Sequence, residues 1–146
     1  MTREERAREY FLQGYNCAQA VALAFADLTG IDEETLARLA SPFGGGMGRM
    51  REVCGAVSGM LMVEGLLRGY SDPKTTDEKR ETYARVQDLA TRFRAECGSI
   101  ICRELLAGQA DSAPAPTERT PAFYQKRPCA SLVALAAKIL DESLGK

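Results

Sequence analysis

The chain has 146 residues, with 19 basic against 20 acidic side chains, a net charge of −1, five cysteines and no histidine. Near-balanced charge, with basic residues interspersed among acidic ones, argues against nucleic acid and anionic membrane as partners. No apolar run reaches the roughly 18–20 residues of a bilayer-spanning helix, so membrane insertion is not expected. Without histidine there is no imidazole base, no Cys–His dyad and no histidine-ligated metal.

A first helix is predicted from Thr2 to about Gln13, stopped by Gly14. Asn16 then caps a second, NCAQAVALAFADLTG, with Cys17 at its first position and Gly30 at its end. A short third helix starts at Asp32 and ends before Pro42. The loop SPFGGGMGRMREVCGAVSG follows, and from about Glu52 the sequence is helical again and apolar nearly all round, as a central buried helix is. Gly55, Ser58 and Gly59 on it would admit a neighbouring backbone or a bound group. A long amphipathic helix runs from Thr76 to the Cys97–Gly98 break, Ser99 caps a short continuation, and the last helix runs from Pro128 to Gly145. Residues 108–127, rich in proline, serine and threonine, read as a surface loop or lid. The expectation is a single all-α domain over residues 1–146, a compact bundle of five to six helices around a glycine-containing central one.

The amino terminus is charged and lacks the apolar stretch of a secretory signal, which predicts a cytoplasmic protein. Thiols there are normally reduced, and an odd cysteine count argues against a complete disulfide framework. Cys54 lies in the first turn of a helix, behind a glycine run and close to Arg49 and Arg51. Helix-start N–H groups and that positive field would favour its thiolate. Cys17, Cys102 and Cys129 are each placed in a predicted first turn as well.

Three readings of these cysteines stay open: small hydrophobes in the core, metal ligands, or redox thiols. Spacing does not choose, because no CxxC pair exists, and the absence of CxxCH excludes covalent haem. FGGGMG lacks the Lys-Ser/Thr of a phosphate-binding P-loop and no strand precedes it.

NCAQAV, FGGGMGRMREVCGAVSG, CRELL and the PC pair opening the last helix resemble the C_GCAxxG_C_C family, small proteins described as redox-active. The resemblance covers nearly the whole chain. It implies that the family cysteines are Cys17, Cys54, Cys102 and Cys129, with Gly55, Ala56 and Gly59 in the CGAxxG stretch and Cys97 outside the pattern. Related sequence is similar to part of split-Soret cytochromes, which carry an iron–sulfur centre.

The leading expectation is then an electron-transfer protein whose four cysteines gather a metal centre. An iron–sulfur cluster is the first candidate and zinc the alternative, with Gly55, Gly59 and Arg49 beside the bound group. A second expectation is metal-free thiol–disulfide chemistry with Cys54 attacking. A third is a zinc-stabilised helical binding or sensing module. Whether the protein is an enzyme stays open. A redox partner protein is implied, and an apolar helix face would serve a homodimer, although core burial accounts for the same pattern.

Overall fold

The computed structural model describes residues 1–108 and 111–145, and among these every regular element is helical. The helices are α1 (Arg3–Leu12), α2 (Cys17–Leu23), α3 (Ala26–Thr29), α4 (Glu33–Ala40), α5 (Gly44–Met47), α6 (Gly55–Arg68), α7 (Thr76–Cys97), α8 (Cys102–Leu105), α9 (Pro121–Lys126) and α10 (Cys129–Leu144). The expected five to six counts only the long ones. Several single-turn pieces raise the number, because glycines and buried aromatics interrupt stretches that read as continuous helix.

The caps explain the starts. Thr2 accepts the Glu5 N–H at 3.1 Å, Asn16 accepts the Gln19 N–H at 2.9 Å while Gln19 accepts that of Asn16 at 3.0 Å, and Asp32 accepts the Thr35 N–H at 3.0 Å. The predicted second helix breaks between α2 and α3, where Phe25 turns fully into the core at φ −117°. Arg3 secures that break by donating to the Ala24 carbonyl at 2.8 Å and lying over the Phe25 ring.

The apolar character of α6 is matched by its place: it packs against α2, α7 and α10, while α1 lies on α2 and α10. Gly59 permits the closest approach, since a Cβ there would stand 2.5 Å from the Ala18 carbonyl oxygen of α2. Phe25, Leu36, Met60, Leu89, Phe93 and Leu140 fill the core between these helices.

Glu64, which interrupts the apolar run of α6, is fully buried. It binds Arg68 one turn on and Arg85 of α7 at 2.9 Å, and Arg68 continues to Ser143 of α10 at 2.9 Å. One buried carboxylate thus ties three helices with its charge matched. No helix among the described residues is long and apolar enough to cross a membrane.

Residues 108–127 hold more structure than a surface loop. Apart from residues 109 and 110, which lie outside the described ones, the segment includes α9, and Arg119 donates to the carbonyls of Phe11 and Tyr15.

Candidate functional site: the four-cysteine cavity

Each of four cysteines stands at a helix start. Cys17, Cys102 and Cys129 are the first residues of α2, α8 and α10, and Cys54 is the cap residue of α6. All four line one cavity of about 460 Å³, and all are free thiols. Cys97 does not join them. It ends α7, and its thiol donates to the carbonyls of Phe93 at 3.1 Å and Ser99 at 3.3 Å.

Backbone pairing brings two of the four together. Val53 and Ile101 form an isolated antiparallel bridge. The Cys54 N–H donates to Ile100 at 2.7 Å, and the Cys102 N–H donates to Glu52 at 2.6 Å. Two short extended segments crossing in this way set the starts of α6 and α8 side by side.

The glycine loop before them takes an unusual path. Gly45, Gly46, Met47, Gly48 and Arg49 are consecutive residues with φ between +58° and +71°, and Arg51 follows at +63°. This is a turn of left-handed helix, which costs roughly 1–2 kcal/mol for each residue with a Cβ. Hydrogen bonds from Arg49, Arg51 and Glu52 N–H back to Gly44, Gly45 and Gly46 close it at 2.9–3.2 Å. Gly46 has no substitute, since a Cβ there would lie 2.7 Å from the Cys102 Cβ and 2.8 Å from the Arg51 Cα.

The turn delivers two arginines to residues 111–117, which cover the cavity. Arg49 binds Ala113 O at 2.6 Å, Thr117 Oγ1 at 2.9 Å and the Asp111 carboxylate at 3.2 Å. Arg51 donates from Nε to Asp111 O at 2.9 Å and from Nη1 to Cys102 Sγ at 3.7 Å. Arg51 is only 6% exposed, and its Nη2 is buried without a hydrogen-bond partner.

The thiols are electrostatically unequal. Cys17 and Cys129 interact directly, and that pairing is the largest influence on both. It drives Cys17 well up, with burial adding to the rise, and brings Cys129 down to about 7, helped by Arg127, Arg119 and Arg51. Burial pushes Cys54 up to about 12 despite the N–H groups of Ala56 and Val57 facing its sulfur. Burial also raises Cys102, opposed by Arg51.

Cys54 stands at a helix start, as expected, where burial outweighs the helix field, whereas Cys129 is brought down by Cys17 and the nearby arginines. Arg49 lines the cavity but spends its donors on the covering segment rather than on Cys54. Gly55 lines the cavity too, whereas Gly59 is buried against α2. Sequence reasoning passed over Arg119 and Arg127, of which Arg127 alone had a local signal, two residues before Cys129, and it noted the glycine run without singling out Gly46.

Among the described residues, no three cysteine or carboxylate side chains are drawn together as ligands of one metal ion. What the residues offer is a wider donor set: four sulfurs around one cavity, with a buried guanidinium among them. A family model described as Putative redox-active protein (C_GCAxxG_C_C) matches residues 15–143. No curated protein and no solved structure matches the chain. With the match spanning nearly the whole sequence and all four cavity cysteines inside it, the chain belongs to the C_GCAxxG_C_C family.

Proposed function

We propose that this is an electron-transfer protein in which Cys17, Cys54, Cys102 and Cys129 hold an iron–sulfur cluster. The observation that carries this reading is the convergence of four free thiols, from four helix starts, on one cavity walled by arginine. The donor set suits the group. Four thiolates are the usual ligands of two- and four-iron clusters, which spread their ligands over several irons. A tetrahedral zinc would use the same four thiolates, but it is redox-inert and would leave the family's redox description unexplained, so zinc ranks second.

Bound here, the cluster would supply one-electron transfer. The chain's own residues contribute the surroundings. Arg51 adds positive charge and an N–H to Cys102 Sγ. The N–H groups of Ala56 and Val57 face Cys54 Sγ, a kind of contact that stabilises the reduced, more negative state. The segment 111–117, pinned by Arg49, lies across one side of the cavity. A partner protein would deliver or accept the electron.

The interacting Cys17–Cys129 pair favours a second reading, thiol–disulfide exchange without metal. The Cys129 thiolate would attack a substrate disulfide and release one thiol, and Cys17 would then displace the second. The net change is one protein disulfide formed and one substrate disulfide reduced to two thiols.

Serine replacement of each cavity cysteine separates the readings. The cluster reading expects each of the four single variants to lose iron and visible absorbance, with Cys97→Ser unchanged. Full iron in all four would contradict it. Loss of disulfide exchange in the Cys17→Ser and Cys129→Ser variants alone, from protein without iron, would establish the second.

A further inference from the structure

Arg51 is a buried cation without a matching anion. Among the described residues, no carboxylate lies within ion-pair distance of it. Asp111, whose backbone carbonyl it binds, turns its carboxylate to Arg49 and is 70% exposed. A buried charge left in this state is expensive unless something compensates it. Its surroundings do not. Arg49, Arg119 and Arg127 line the same cavity, and the described lining includes no aspartate or glutamate. Of the groups able to ionise, the Cys102 thiol accepts from Arg51 Nη1, and the exposed Asp111 carboxylate feels Arg51 only through space.

The cavity is also larger than sulfur ligation alone requires. Its volume of about 460 Å³ falls within the roughly 300–1,000 Å³ of small-molecule sites. Phe11, Leu105, Leu106, Phe123 and Leu132 make part of its wall apolar. Arg49 and Arg119 have their donors engaged with the chain. Arg51 Nη2 is buried and has no hydrogen-bond partner among the described residues.

We infer that the cavity is a binding site for a small organic oxyanion, its carboxylate or phosphate head drawn to Arg51 and its apolar body lying against Phe123 and Leu132. This deepens the proposed function and rests on it in one respect: the anion would be the small molecule seated beside the redox sulfurs. Recognition itself depends on charge and shape, whichever redox group the cysteines carry.

The test is calorimetric titration of the protein, purified without oxygen, with benzoate and with its neutral isostere benzamide. Iron and acid-labile sulfide are measured on the same sample. The expected result is benzoate binding at least tenfold tighter than benzamide, lost in Arg51→Gln and retained in Arg80→Gln, whose exposed ion pair lies elsewhere. Should Arg51→Gln fail to fold, the benzoate–benzamide ratio in the unaltered protein still decides. Equal binding of the two, or no binding of either, overturns the inference. Iron and sulfide present without benzoate binding would mean that the cluster alone compensates Arg51, and the anion site falls while the cluster stands. Benzoate binding without iron would uphold the anion site and remove the cluster.

Discussion

Glu64 and Arg51 are both buried charges, separated by α6 between Cys54 and Glu64, about 15 Å along the helix axis. Glu64 is fully matched: two arginines meet its carboxylate, and their remaining donors reach backbone and Ser143. Arg51 is only half matched, with one carbonyl, one thiol and an unpartnered nitrogen, and it sits at the end of a strained left-handed turn. A charge whose partners are all supplied by the chain is a structural device. One whose partners are incomplete, held in place by strained backbone beside four thiols, marks the region built for something else.

The largest expected effect comes from the structural end. Glu64→Ala removes the shared anion of α6, α7 and α10 and should cost about 3 kcal/mol in urea unfolding, with iron per folded molecule unchanged. Loss of iron in proportion would show that the two regions are not separable.

Gly46→Ala should do the reverse. A Cβ at φ +71°, 2.7 Å from the Cys102 Cβ, should cost roughly 2–3 kcal/mol and deplete the metal in the molecules that still fold. A variant with normal metal content would mean that the turn does not shape the cavity.

In the metal-free protein the thiols should separate by pH. Alkylation of Cys129, followed by mass spectrometry, should rise through about pH 7, while Cys54 stays silent until far more alkaline conditions. Arg127→Gln removes a cation that favours the Cys129 thiolate, so the midpoint should move upward. A downward or absent shift would contradict the assigned electrostatics. The smallest effect belongs to Cys97→Ser, expected within about 0.5 kcal/mol and without change in metal.

Much of this arrangement can be read from residues whose signal is local. Asn16 before Cys17 is a capping signal that holds, and the glycines of CGAVSG announce close packing. Ser99 instead binds the Ile101 N–H and Glu104, while Ile101 takes the cap position of α8. The all-helical character follows from the same periodicity and caps. What stayed hidden depends on tertiary contact. GGG hints at positive φ, but nothing in Met47 or Arg49 says that they continue a left-handed turn. Arg119 lies in a proline-rich stretch with no periodicity, and its role comes from carbonyls more than a hundred residues earlier. The rise of Cys54 and the fall of Cys129 depend on how deeply each is buried and which cations surround it, neither of which is encoded within a helix turn.

The central claim is that four cysteines form one redox centre, and its most direct test is iron and acid-labile sulfide content, with the visible spectrum, on protein purified without oxygen. Iron and sulfide in matching amounts, with broad visible absorbance that bleaches on reduction, are the predicted result. Colourless protein without iron and sulfide, whether it holds zinc or no metal, would contradict the cluster.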